Sequence, residues 1–432
     1  MLTVIMAGGK GTRIAEVHKT VPKPMIPILG KPILEYQLEA LKRQGCREFV
    51  MIVGHLGKTI TDYFGNGEKW GVSIRYIAEE EPLGTAGALF FLRDLIQEDF
   101  LLINGDVIFD VNLERFVRFH RERGGLATLF VHPNSHPYDS AVLVTDENGR
   151  VEEWLNKEDE RLWYRNQVNA GLHMLSAGIF ETSFAWGSFR KANQAVKLDL
   201  DRDILKPMVG TGKLFAYASP EYVKDMGTPE RLKQVEEDIR SGQVEARNLT
   251  CPQKAVFLDR DGTINRYVGF LREASSFELL EGAAQAIREM NRLGYLAIVV
   301  TNQPVIARGE VSCRELRVIH NKMETLLGME GAYLDAIYYC PHHPHGGYEG
   351  EIPQLKRECS CRKPKPGLLL KAADEFHIDL KQSWMVGDSQ SDILAGKAAG
   401  CRTALIGGEG EEFGQNMTVR DLLEFVERAL KE

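Results

Sequence analysis

Phe257-Leu-Asp-Arg-Asp-Gly-Thr-Ile-Asn265 decides how this 432-residue chain divides. The apolar run Ala255-Val-Phe-Leu258 stops at two carboxylates one residue apart, Asp259 and Asp261, followed by Gly262 and Thr263. A short continuous apolar run closed by turn residues reads as a buried strand, so both carboxylates are expected at its carboxyl end. A first strand of this kind opens a domain. This one lies past residue 250, so a complete domain is expected before it, and the length agrees with two.

Downstream, helical stretches alternate with strand-like runs. Leu296-Ala-Ile-Val-Val-Thr-Asn302 ends in the hydroxyl of Thr301 and the amide of Asn302, Arg362-Lys363-Pro-x-Pro366 supplies cations on a stiff segment, and Trp384-Met-Val-Gly-Asp388-Ser-x-x-Asp392 ends in carboxylates. The alternation predicts a doubly wound parallel α/β sheet with its site at the strand carboxyl ends. This set resembles the haloacid-dehalogenase-like phosphatases. The resemblance implies that Asp259 attacks phosphorus to form an aspartyl-phosphate and that Asp261 protonates the leaving oxygen, then deprotonates water. It further implies Mg²⁺ on Asp259, Asp388 and the backbone carbonyl of Asp261, with Thr301 and Lys363 on the transferred phosphoryl group. Asn302, Arg308 and Arg362 are expected to bind substrate, and Asp392 to support the metal site from behind.

Cys340-Pro-His342-His343 is followed by Cys359-Ser-Cys361. Two close thiolates plus a Cys-x-His pair match a closed tetrahedral zinc site, with Cys340, His342, Cys359 and Cys361 as ligands and His343 or His345 as replacements for His342. Four protein ligands leave no open position, so the expected zinc is structural. Tyr338-Tyr-Cys-Pro-His-His-Pro344, Cys359-x-Cys-Arg-Lys-Pro364 and Thr301-Asn-Gln…Ile-Ala-Arg-Gly309 together resemble the D-glycero-D-manno-heptose 1,7-bisphosphate 7-phosphatases over about residues 254–406. Histidinol-phosphate phosphatases share the zinc loop. Where relatives carry Ser-Gly, this chain has Pro304-Val305, and that pair is expected in a substrate loop.

The first half opens on the strand-like Leu2-Thr-Val-Ile-Met-Ala7 and the loop Gly8-Gly-Lys-Gly-Thr-Arg13, whose amides can nest phosphate oxygens. Pro22-Lys23-Pro-Met25 adds a second cation. In order follow Pro82-Leu-Gly-Thr-Ala-Gly87, Leu101-Leu-Ile-Asn-Gly-Asp106, Asn169-Ala-Gly171 and Asp225-Met-Gly-Thr-Pro229. The series resembles the sugar-1-phosphate nucleotidyltransferases through residue 232, with a Rossmann-like sheet. The resemblance implies that Gly8, Gly9, Gly11 and Thr12 cradle the triphosphate, that Arg13 and Lys23 stabilise the reacting phosphates, and that Asp106 and Asp225 hold Mg²⁺. Gly84 and Thr85 are then expected in the base and ribose loop, Asn169 and Gly171 in the sugar turn. Lys157 is in register with the family lysine on the sugar phosphate, although Asn156 and Glu158 depart from Glu-Lys-Pro. Glu79 accepts hydrogen bonds only, which suits the N1–H and N2–H₂ edge of guanine, so GTP is the expected nucleotide.

Composition narrows the classes further. With 44% hydrophobic and 26% charged residues the chain is globular. A net charge of −8 argues against nucleic acid or an anionic membrane as partner. No apolar run approaches the roughly 20 residues that span a bilayer, and Leu2–Ala7 is too short for a signal-peptide core, so the cytoplasm is expected. Seven cysteines, an odd count with three clustered, suit a metal site better than disulfides.

The aperiodic stretch after the helix-like Pro229–Arg240 places a linker at 242–253, between a transferase domain at 1–241 and a phosphatase domain at 254–432. The first half resembles the D-glycero-α-D-manno-heptose 1-phosphate guanylyltransferases. Together the resemblances imply consecutive steps of GDP-heptose synthesis for a cell-surface glycan: loss of the 7-phosphate, then guanylyl transfer to the 1-phosphate. A mannose 1-phosphate guanylyltransferase, or another sugar nucleotidyltransferase, joined to a phosphatase of different substrate is the alternative. The partners expected are GTP and heptose phosphates, with a heptose kinase on a separate chain; a homo-oligomer is compatible.

Overall fold

The computed structural model describes residues 1–8, 21–54, 56–79, 83–182, 197–407, 410 and 412–431. They form two compact units: Met1–His132, Leu143–Trp154 and Asn169–Asn248 in one, Pro133–Val142, Leu155–Val168 and Leu249–Glu432 in the other. The division is not the linear one expected, since two stretches of the first half cluster with the second unit. Val142, Tyr164 and Val168 make a small apolar cluster there with Leu155 against it. The Thr325 hydroxyl accepts from the Tyr164 amide at 3.0 Å and donates to its carbonyl at 3.1 Å. Inside the expected linker, Gln243–Ala246 is a helical turn, and Val244 packs with Ile108, Tyr222 and Val235. Leu249 is buried too, with Phe257 and Ile298, and two apolar anchors five residues apart leave no periodicity to read.

In the first unit the strands are β1 (Leu2–Ala7), β2 (Glu48–Val53), β3 (Ser73–Ala78), β4 (Phe100–Asn104), β5 (Val107–Asp110), β6 (Ala127–His132), β7 (Val142–Thr145), β8 (Val151–Leu155), β9 (Val168–Leu175), β10 (Leu214–Ala218) and β11 (Tyr222–Asp225). The main sheet runs β8-β7-β9-β4-β1-β2-β3, with β6 paired to β9 and β10 paired to β6. Its centre, β3-β2-β1-β4, is parallel. This explains why β1 is apolar but for the buried Thr3: a strand covered on both faces has no solvent side. Helix α1 (Ile33–Arg43) lays Leu34, Leu38 and Leu41 against Phe49 and Met51. Antiparallel β5 and β11 form a separate ribbon. Connections diverge between β1 and β4, which opens a crevice at their carboxyl ends.

The second unit repeats that logic. Strands β12 (Ala255–Leu258), β13 (Leu296–Asn302), β14 (Ala336–Cys340), β15 (Trp384–Gly387), β16 (Arg402–Ile406) and β17 (Met417–Val419) run in the order β14-β13-β12-β15-β16-β17, all parallel. Side chains alternate faces along β12. Val256 and Leu258 meet Ile287 and Met290 of α2 (Ala283–Arg292) and Ile319 and Met323 of α3 (Cys313–Met329). Ala255 and Phe257 meet Leu369 and Ala372 of α4 (Gly367–Phe376) and Ala395 of α5 (Gln390–Ala399). The order reverses between β12 and β15, so the site belongs where Asp259 and Asp388 leave those strands.

Candidate active sites

At the second reversal the Asp259 amide donates to the Val386 carbonyl at 3.0 Å, which sets the two strand ends side by side. Gly262 follows at φ +84°, and a Cβ there would strike the Asp388 carboxylate; only glycine permits this approach. Asp259, Asp388 and Asp392 can place one oxygen each within 4.8 Å of the others. Lys363 Nζ, almost fully buried, lies 2.7 Å from Asp259 and 2.6 Å from Asp392. The other Asp392 oxygen accepts from the Ser389 amide and hydroxyl at 3.0 and 2.6 Å. Three carboxylates face one ammonium, an excess of negative charge that suits a divalent cation with oxygen ligands. Burial pushes Asp259 up to about 7 against the pull of Lys363, and burial with the Asp392 charge pushes Asp388 up to about 6.

The remaining expected residues fall around this centre. Asn302 holds Lys363 by its backbone, accepting from its amide and donating to its carbonyl at 3.1 Å each. The Thr301 hydroxyl accepts from Gln303 at 2.9 Å. Asp261 receives Arg260, Asn265 and Gln303 on its two oxygens; all three lie within the quoted motifs, but nothing in those motifs assigned them a role. Arg308 is clamped between the rings of Phe270 and Tyr348 at 4.0 and 4.4 Å, a cation–π arrangement. Arg362 donates to the His342 carbonyl at 3.2 Å. Val305 does not line a substrate loop: it is 1% exposed and packs with Ile306, Val311 and Leu316. Pro304 starts a short helix, Pro304–Ala307, and the turn it sets drives Val305 inward.

Cys340, His342, Cys359 and Cys361 form the second possible metal group. Cys361 Sγ is 3.3 Å from Cys359, 3.4 Å from Cys340 and 3.4 Å from His342 Nδ1; Cys340 Sγ is 3.5 Å from Cys359 and 3.7 Å from His342 Nδ1. A tetrahedron with metal–sulfur bonds of about 2.3 Å has edges of roughly 3.8 Å, so the donors close around a point of the right size. The structure selects among the histidines. His342 turns Nδ1 inward while Nε2 meets Arg357 at 3.2 Å, and His343 instead faces the His345 carbonyl.

In the first unit Asp106 follows β4, and Lys23 from the turn Lys23–Met25 is ion-paired with it. Asp225, at the end of β11, pairs with Val107 across the ribbon, and the Met226 amide donates to the Asp106 carbonyl at 3.0 Å. Both carboxylates thus leave one pair of strand ends, as a shared cation requires. Arg231 grips Asp225 at 2.7 and 2.8 Å. Gly8 touches Glu79 so closely that a Cβ would collide with its carboxylate. Glu79 accepts from the Leu83 amide at 3.1 Å, and burial pushes it up. Gly84 opens the turn Gly84–Gly87, where the Thr85 hydroxyl takes the Leu200 amide at 2.7 Å. Asn169 reaches Asp201 at 3.3 Å and takes the Gly171 amide at 3.2 Å. Asp201, which no motif marked, is pushed up to about 7 by burial and by Asp199. Lys157 is exposed, faces Glu158 at 3.8 Å and lies in 155–168, with the second unit. Gly9, Gly11, Thr12 and Arg13 lie outside the described residues.

The fold and these constellations define a two-unit α/β enzyme, a nucleotidyl transferase joined to a phosphatase. A nucleotidyl transferase family model matches residues 2–242 and a HAD-hydrolase-like model residues 360–414. The D-glycero-beta-D-manno-heptose-1,7-bisphosphate 7-phosphatase of Salmonella typhi is 43% identical over 152 residues, 35% of this chain and 79% of that protein. Its counterpart in Vibrio cholerae is 44% identical over 152 residues, 35% of this chain and 80% of that protein. A solved structure, HddC from Yersinia pseudotuberculosis complexed with GMP-PN, is 26% identical, covering 55% of this chain and 99% of that one at a TM-score of 0.46. The chain belongs to the nucleotidyl transferase family, and its second unit to the family of heptose bisphosphate phosphatases. Among the described residues, no helix is long and apolar enough to cross a membrane.

Proposed function

We propose that this enzyme removes the 7-phosphate of D-glycero-D-manno-heptose 1,7-bisphosphate and then transfers GMP from GTP to the heptose 1-phosphate, giving GDP-heptose and pyrophosphate. The observation that carries the first step is Asp259 held by Lys363 beside Asp388 at the sheet reversal, on a unit 43% identical to phosphatases named for that substrate. The Asp259 oxygen attacks phosphorus, and the C7 oxygen leaves with a proton from Asp261. Water then attacks the aspartyl-phosphate, gives its proton to Asp261 and releases phosphate. Lys363 neutralises the charge that gathers on the phosphoryl oxygens. Asp259 and Asp388 would hold Mg²⁺, which supplies further neutralisation. Zn²⁺ would sit in the Cys340, His342, Cys359 and Cys361 group and fix the 340–361 loop.

For the second step, Lys23 supports charge neutralisation at the phosphates, and Asp106 and Asp225 would hold Mg²⁺, which would add to it. Glu79, against Gly8 and without a cation on its carboxylate among the described residues, supports guanine: its oxygens would accept from N1–H and N2–H₂. A sugar kinase must supply the bisphosphate. Product analysis after mixing each anomer of heptose 1,7-bisphosphate with GTP and Mg²⁺ tests the reading. GDP-heptose, phosphate and pyrophosphate are expected. Phosphate release without nucleotide transfer, or transfer only to mannose 1-phosphate, would overturn the pathway.

A further inference from the structure

Arg260 lies between the two aspartates, is wholly shielded from solvent, and is not a residue the reaction itself calls for. An arginine with no exposure is kept only where its donors are matched. Its Nη2 lies 2.7 Å from Asp261 Oδ2 and 3.0 Å from Oδ1, and its Nε 3.2 Å from Oδ1. The same Nη2 reaches Gln303 Oε1 at 3.1 Å, and Nη1 meets His320 Nε2 of α3 at 3.3 Å. Arginine has no acceptor, so Nε2 must be the bare nitrogen and His320 neutral. Burial and the nearby Arg260 and Arg165 cations push His320 well down, which keeps it so. Asn265 Nδ2 adds a bond to Asp261 Oδ1 at 3.0 Å, and Gln303 Nε2 one to Oδ2 at 3.0 Å. Both Asp261 oxygens are therefore held in place by donors from Arg260, Asn265 and Gln303.

We propose that Arg260, backed by His320 and Gln303, is the positioning residue that aims Asp261 as the base for the second half of the phosphatase reaction. In that half the water oxygen bonds to phosphorus while the bond from phosphorus to the Asp259 oxygen breaks. The water proton passes to an Asp261 oxygen, and phosphate departs from a restored Asp259 carboxylate. A bidentate guanidinium fixes the direction of the carboxylate plane, and directional placement of a base governs its rate. The inference rests on the phosphatase reading of this site.

Rapid-quench kinetics on the full chain with heptose 1,7-bisphosphate separates the halves, because sugar monophosphate appears in the first and phosphate in the second. In the unaltered protein both products should rise together. Because Asp261 also gives the leaving proton, Arg260→Gln should slow the first half somewhat and the second more, so that about one sugar monophosphate per chain still appears ahead of phosphate, with steady phosphate release slowed at least about tenfold and acid-trapped phosphate on Asp259. Arg260→Lys should recover part of the rate. If Arg260→Gln fails to fold, His320→Phe, which removes the acceptor behind Arg260 but keeps a ring near Tyr339, should show the same lag in weaker form. Equal slowing of both products, as from a purely structural role, or faster turnover would overturn the inference. An unaltered protein releasing neither product would instead overturn the phosphatase reading.

Discussion

Lys363 Nζ meets Asp392 at 2.6 Å in a site where neither side chain is more than 2% exposed, and the same ammonium holds Asp259 at 2.7 Å. Asp392 is therefore the fixed anchor of the lysine that serves the nucleophile. Lys363→Met leaves two buried carboxylates without their cation. Removing one partner of a buried pair costs about 3–5 kcal/mol, so the second unit should unfold at clearly lower denaturant, and phosphate release should fall by roughly 10²–10³-fold. Nucleotidyl transfer should persist. Phosphatase kinetics within twofold of the unaltered protein would remove Lys363 from the site.

Cys361 touches all three other members of its group within 3.3–3.4 Å. Cys361→Ser replaces a soft thiolate with a poor zinc ligand. Purified protein should then lose stoichiometric zinc, and the melting temperature of the second unit should drop by several degrees, since binding energy of a structural metal is folding energy. Full zinc retention in the variant, measured by atomic emission, would exclude the site.

Glu324 on α3 is 6% exposed. Burial pushes it up to about 7 from 4.5, with Arg165 and the Asn166 amide pulling the other way. A carboxyl whose folded pKa is raised gives its full stability below the unfolded value and loses it as pH climbs through the folded one. The second unit should thus lose stability between about pH 4.5 and 7. Glu324→Gln cannot ionise, so it should match the unaltered protein near pH 4.5 and exceed it at pH 8, by at most roughly 3 kcal/mol. Denaturant titrations at both pH values decide the matter; a variant less stable at pH 8 contradicts the sign.

Glu79 lies against Gly8. Glu79→Gln replaces one acceptor oxygen with a donor, which opposes the guanine N–H edge. GTP turnover should fall about 10- to 100-fold in kcat/KM, while activity with UTP or dTTP falls less or rises. An unchanged ranking of GTP, ATP, CTP and dTTP would separate Glu79 from base choice.

Much of both sites could be read from the chain because their chemistry lies at strand ends. Asp106, Asp259 and Asp388 each follow an apolar run, and parallel sheets expose their strand carboxyl ends in one crevice. The Cys340, His342, Cys359 and Cys361 set was likewise carried by residue type and spacing. The residues that steady these groups were not legible. Arg260 and His320 meet across β12 and α3, and Asp201 reaches Asn169 only after the chain turns back on itself; no local period or motif reports such encounters.

The opening stretch shows the same division. Asp259-Arg-Asp261 by itself determined where the second sheet starts and which carboxylates leave its first strand, since an apolar run that stops at charge has one way to be buried. Only the tertiary structure decided that Arg260 turns inward to grip Asp261, that Val305 enters the core, and that residues 133–142 and 155–168 cluster with the second unit. Those outcomes depend on which distant groups satisfy a buried donor or cover an apolar face, and such partners are chosen by packing in three dimensions.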